Sequence, residues 1–323
     1  MTVLSLGAPI IHKAWKSNSA SQVDNYRLCH ARWWWERMGS FREDATPNMQ
    51  RGSVVHALLE GYMREEIVPT LDEATRHIAE MEAVGVYPAQ CVTLALATIP
   101  MLPCRPEEMD KEGVEFGFRI YDKQMPVPWN GYIDLWVRFL GQVIDYKVKS
   151  SLAYCKKEEE LHSDTQAAAY SLVSAALAFF TAEQEKDWKD EFVQVIRFDS
   201  ATDTFIEPDK FFHFNIGVKA PHEIRVVGAQ LENIEEKWKK LVDVSHAMWE
   251  DSLKTNPRDV EPNNNACWAW RKECPHYARC LEIGHVATGS PFDGMMEQDP
   301  APKLDGETKM GWSFNKPAAP APA

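Results

Sequence analysis

The chain has 323 residues, 45% hydrophobic and 26% charged, enough apolar material for one large core or two modest ones, which excludes a fibrous or wholly disordered protein. Asp and Glu outnumber Lys and Arg 48 to 35. The formal net charge of -13 excludes a protein that coats nucleic acid through bulk positive charge and leaves room only for a local basic groove.

In chain order, the N-terminus lacks a basic start followed by a sustained apolar run, so no secretory signal is evident and a cytoplasmic location is expected. In that compartment the seven cysteines read as thiols or metal ligands. Ser21 and Asp24 form a capping-box-like start for a helix over 21–38. A second helix over 49–66 carries Val55, Leu58, Leu59 and Met63 at helical spacing, and Thr70 opens a third that Gly85 ends. Residues 83–104 are uncharged, but Pro88, Pro100 and Pro103 leave only a short buried helix there, not a membrane span.

The pattern changes near residue 112. Three β-rich runs, divided by Lys123 to Pro126 and by Gly141, outline an antiparallel meander up to Val148. Ser163 is then expected to cap an alanine-rich helix to about Phe180, too polar to span a membrane. Residues 191–198 and 204–214 read as strands, and 220–251 as one long helix. From about Gly294 the chain has too little apolar material to fold, so 294–323 is expected to be a disordered tail.

The meander carries the most chemistry. Adjacent strands bring Asp134 of GYID close to Asp145, and Asp145 and Lys147 of DYK share one face of their strand. Two carboxylates and an ammonium suit a hard divalent cation that neutralises charge on a phosphate. On the 49–66 helix, Gly52 and His56 share a face at i, i+4, as do Gln166 and Tyr170 on the later helix. Singly, each has a bland reading: His56 as a core histidine, Gln166 as a capping partner, Tyr170 as a core aromatic.

Taken in order, these residues resemble the RecB-type branch of the PD-(D/E)XK nucleases: G-x-x-x-H at Gly52 to His56, a strand glutamate at Glu115, G-x-x-D at Gly131 to Asp134, D-x-K at Asp145 to Lys147, and Q-x-x-x-Y at Gln166 to Tyr170. The resemblance implies an α/β restriction-endonuclease-like core, a mixed central sheet flanked by helices, and a Mg²⁺- or Mn²⁺-dependent deoxyribonuclease. It implies that His56, Asp134, Asp145 and the Tyr146 carbonyl ligate the metal. Lys147 would assist the nucleophile, with Gln166 and Tyr170 positioning Lys147 or the DNA; the role of Glu115 varies within the family.

Cys267, Cys274 and Cys280 form a compact C-terminal set that lacks a fourth thiolate, and Cys29 is the natural candidate. One cysteine before the core and three after it resembles the subset of RecB-type nucleases, including CRISPR-associated exonucleases and AddB subunits, that holds a [4Fe-4S] cluster. Structural zinc is the competing reading. The resemblance implies one nuclease unit over 1–293, with a helical part over 19–111, the core over 112–215 and a helix plus Fe-S segment over 216–293. DNA ends or single strands are the implied partner. No GxxxxGK[ST] P-loop occurs, so a helicase or recombination partner would do any unwinding. The run Trp33 to Trp35 offers a base-stacking platform or, as the commoner use, packing.

Overall fold

Alternating apolar and polar residues between 114 and 149 form the expected meander. Strands β1 (Val114–Asp122), β2 (Trp129–Val137) and β3 (Gln142–Lys149) pair antiparallel, and Gly141, at φ +60°, turns the chain from β2 into β3. The computed structural model describes residues 15–41, 44–187, 191–271 and 273–285. Here β4 (Phe180–Lys186) and β5 (Phe192–Phe198) extend the sheet beyond β1, while β6 (Lys210–Gly217) and β7 (Ile224–Ala229) extend it beyond β3. The pairs β1·β5 and β3·β6 are parallel, so the seven-stranded sheet, ordered β4-β5-β1-β2-β3-β6-β7, is mixed. Helices flank it, and the fold is the mixed α/β architecture implied above.

The helices are α1 (Ala20–Leu28), α2 (His30–Arg37), α3 (Pro47–Glu65), α4 (Leu71–Glu80), α5 (Pro88–Thr98), α6 (Glu158–Leu161), α7 (Thr165–Ala175), α8 (Ile234–Ser252) and α9 (Tyr277–Glu282). Two cores form on opposite faces of the sheet. One joins α1, α2, α7 and α8 through Trp33, Trp34, Trp35, Leu172, Trp238 and Val143. The other joins α3 and α5 through Val55, Leu58, Leu59, Leu94, Ile144 and Tyr146. All three tryptophans of the run are 0% exposed, which rules out a base-stacking platform: their rings pack, and truncating any one would cost about 3–5 kcal/mol.

Four expectations need correction. The helix over 21–38 breaks at Cys29, whose extended backbone separates α1 from α2. Asp164, not Ser163, caps α7, accepting from the Ala167 N–H at 2.8 Å, and α7 stops at Ala175. The strand expected at 204–214 lies at Lys210–Gly217. The helix expected over 220–251 divides into β7 and α8. Both unforeseen strands, β4 and β7, are sheet edges, where charged and half-exposed residues blur the period-two signal. The tail from 294 lies outside the described residues. No helix among the described residues is long and apolar enough to cross a membrane.

Candidate active site and thiol cluster

The pairs Val114↔Leu135 and Phe116↔Ile133 flank Glu115 and Asp134, which stand opposite one another on β1 and β2. Continuing the Leu135↔Ile144 register places Asp134 opposite Asp145. Three carboxylates therefore form one row across the sheet. Val114 and Leu135 pack in the core under α3, whereas Phe116 and Ile133 pack in the core under α7, so both strands change faces at this row. Glu115 absorbs the change on β1 with φ +46°, a left-handed conformation costing a side-chain-bearing residue about 1–3 kcal/mol. On β2, Asp134 Oδ2 accepts from the Tyr146 N–H at 2.6 Å, so its side chain meets a strand donor. Gly131 is required by close packing, since a Cβ there would come 2.4 Å from the Phe118 ring. Gly52 is under no such pressure: its nearest neighbour would be 3.9 Å away.

Helix α3 lays His56 over this row. Its Nε2 donates to the Tyr146 carbonyl at 2.9 Å, and its Nδ1 lies 3.5 Å from Asp134 Oδ2. Burial opposes a charged imidazolium, yet Asp134, Glu115 and Asp145 together raise its pKa to about 9. One ligand atom from each of His56, Glu115 and Asp134 lies within 4.8 Å of the others. Cis ligands on an octahedral ion with bonds of 2.0–2.1 Å stand about 3 Å apart, close to the His56 to Tyr146 carbonyl spacing. Concentrated negative charge, a histidine and a carbonyl make a donor set that fits a hard divalent cation.

Asp145 stands just outside that close set. Its Oδ2 lies 2.6 Å from Lys147 Nζ, and its Oδ1 accepts from Gln166 Nε2 at 2.5 Å. The same amide donates to the Tyr170 hydroxyl at 2.9 Å, so the i, i+4 pair on α7 acts on Asp145 as a unit. Burial first, relieved by Lys147 and reinforced by Asp134, raises Asp145 to about 6. Burial disfavours the Lys147 ammonium, but Asp145 and Asp134 hold its pKa above the ordinary lysine value.

Sequence reasoning missed His213. It pairs with Asp145 in the β3·β6 register, is 3% exposed, and puts Nε2 3.6 Å from Asp145 Oδ2. Burial, with Lys147 next, lowers its pKa to about 3, so the ring is neutral. Its one signal in the sequence is a lone polar residue inside the apolar run Phe211 to Phe214. Basic residues near the site are occupied: Arg27 Nη1 donates to Thr165 at 2.9 Å, and Lys156 pairs with Asp164.

At the other end of the core, Cys29, Cys267, Cys274 and Cys280 line one pocket with Arg32, His276 and Tyr277. The break between α1 and α2 turns Cys29 toward it, and the Asn263 N–H donates to Cys29 Sγ at 3.3 Å. Burial and then the neighbouring thiols push Cys267 up to about 12, and burial pushes Cys280 up to about 11. A bound metal would offset that penalty at Cys267 and Cys280, and four cysteines lining one pocket make a donor set that fits a thiolate-bound centre. Cys91 and Cys104 are buried core thiols.

A solved structure named "Putative exonuclease", from Eubacterium rectale, is 13% identical, with a TM-score of 0.47, covering 85% of this chain and 90% of that one. No curated protein matches the sequence. The model of the PD-(D/E)XK nuclease superfamily, whose members use divalent metals, matches residues 17–281, spanning both the carboxylate row and the thiol pocket. The chain belongs to the PD-(D/E)XK nuclease superfamily.

Proposed function

We propose that the protein is a Mg²⁺- or Mn²⁺-dependent deoxyribonuclease of the RecB-type branch, acting as an exonuclease on DNA ends or single strands. The observation that carries this reading is the row Glu115, Asp134 and Asp145, with His56 above it and Lys147 against Asp145. His56, Glu115, Asp134, Asp145 and the Tyr146 carbonyl would hold the cation, which when bound supplies a Lewis acid that neutralises charge on the phosphodiester. Lys147, kept protonated by two carboxylates, lends a second positive charge to the crowded phosphorus of the transition state. Gln166 fixes the Asp145 carboxylate and is itself held by Tyr170, while neutral His213 flanks the same oxygen as Lys147.

We also assign a [4Fe-4S] cluster to Cys29, Cys267, Cys274 and Cys280. Zinc sites more often use C-x2-C pairs, which the sequence lacks, and this spacing supports the cluster over zinc. The cluster would staple residue 29 to the C-terminal segment, making its retention a matter of stability.

The test is cleavage of end-labelled single- and double-stranded DNA with Mg²⁺ or Mn²⁺, by protein purified without oxygen. Lys147→Ala should cut the rate at least about a hundredfold, and the label pattern gives polarity. Two proteins that bind DNA and leave it intact would point instead to a binding subunit or a partner-activated module. Iron and sulfide analysis with visible absorption tests the cluster, and a colourless zinc protein would overturn it.

A further inference from the structure

Strand β3 continues past the catalytic pair. Residues two apart on a strand point to one face, so Asp145, Lys147 and Lys149 form a single line of side chains. Lys147 has Asp145 as a partner at 2.6 Å, and nearby Lys156 has Asp164. Lys149 has neither an ion pair nor a side-chain hydrogen bond among the described residues. It is also half-buried, and burial with the positive charges of Lys147 and Lys156 works against its ammonium more than Cys155 and Asp145 favour it.

A partly desolvated cation with no anion of its own is unfavourable, and a protein of net charge -13 has carboxylates enough to supply one. Among the described residues none pairs with it. On the neighbouring edge β7 brings Arg225 into register with Asn215, which pairs with Lys147, and Arg225 is itself matched by Glu223 at 3.6 Å. Lys147 and Lys149 are about 6.7 Å apart along the strand, comparable to the step between successive phosphates of an extended nucleic-acid strand. An anion delivered with the substrate would satisfy Lys149, and an internal carboxylate would block it.

We propose that Lys149 binds the phosphate adjacent to the scissile phosphodiester, so that β3 presents one side chain to each of two consecutive phosphates. The assignment rests on the nuclease reading above for the identity of the strand, and on the orphaned ammonium for the contact. It makes Lys149 a substrate-positioning residue whose contribution is to register the strand over Lys147.

The test uses single-stranded oligonucleotides in which the phosphate on either side of the scissile one is replaced, in turn, by a neutral methylphosphonate. Binding is measured by fluorescence anisotropy over a salt series, without divalent metal, for wild type, Lys149→Ala and Lys149→Arg, and cleavage is then measured with metal. Lys149→Ala should weaken binding about five- to tenfold, reduce the salt slope by about 0.7, and raise KM far more than it lowers kcat. One methylphosphonate position should weaken the wild type and Lys149→Arg by the same factor while leaving Lys149→Ala indifferent. If wild type tolerates neutral groups on both sides, or Lys149→Ala keeps the sensitivity, the proposal is overturned. A wild type that binds DNA with this signature yet never cuts it would sink the nuclease reading and leave the phosphate contact standing.

Discussion

Glu115 and Asp134 face each other on β1 and β2 at the row where both strands transfer their apolar side chains from one core to the other. A sheet that buried the same alternate residues throughout would point these carboxylates into an apolar layer. The change of face opens the seam in which His56 can meet them.

Strain and ligation at Glu115 can therefore be separated. Glu115→Ala and Glu115→Gly both remove the carboxylate and should each weaken Mn²⁺ binding at least about tenfold by calorimetric titration. In urea unfolding, however, the glycine variant should be about 1 kcal/mol more stable than the alanine variant, because only glycine adopts φ +46° without a Cβ penalty. Equal stabilities would mean that the left-handed backbone stores no strain.

His213 is predicted to position Asp145. His213→Leu should lower kcat about 10- to 100-fold and raise the Mg²⁺ concentration for half-maximal rate, with His213→Gln recovering part of the loss. A leucine variant with unaltered metal dependence would reduce His213 to core filling.

Thr165 bridges α1 to α7. It donates to Asp24 Oδ1 at 2.5 Å and accepts from Arg27 Nη1, one residue before Gln166 reaches Asp145. Thr165→Val keeps the volume but leaves both partners unmatched, at an expected cost of about 1–3 kcal/mol. Thermal unfolding should show that loss, and kcat should fall severalfold with KM nearly unchanged.

Asp251 ties α1 and the start of α2 to α8. It accepts from Tyr26 at 2.8 Å and Lys254 at 2.5 Å, with His30 at 3.2 Å. Burial opposes its charge, but these partners depress its pKa to about 2. A depressed carboxylate contributes stability that is complete above the unfolded value near 3.8 and disappears as pH falls through about 2. Allowing for screening, Asp251→Asn should cost about 1–2 kcal/mol at pH 7. Urea midpoints of the two proteins should converge between pH 4 and 2, and a constant gap over that range would remove the carboxylate from the account.

Much of the site's local arrangement is legible in the sequence. The turn residues around Lys123 and Gly141 mark three strands, and pairing them outward from the β2–β3 turn brings Asp134 opposite Asp145. The spacing of Gln166 and Tyr170 likewise puts amide and phenol on one face, while their hydrogen bond and its anchoring on Asp145 came only with the fold. Elements whose identity depends on a neighbour were not legible. Edge strands β4 and β7 form because β5 and β6 offer free backbone groups, and Cys29 breaks a helix whose local pattern continues through it.

The sequence by itself determined the residue types of the chemistry, their order and the meander that carries the carboxylates, because these depend on periods of two and four residues. Only the tertiary structure decided that β1 and β2 change faces at Glu115 and Asp134, that His213 flanks Asp145, that the tryptophans of the run are buried, and that Lys149 has no ion pair among the described residues. Those outcomes depend on which core each side chain joins and on which charges come together from distant segments. Neither is encoded in local spacing.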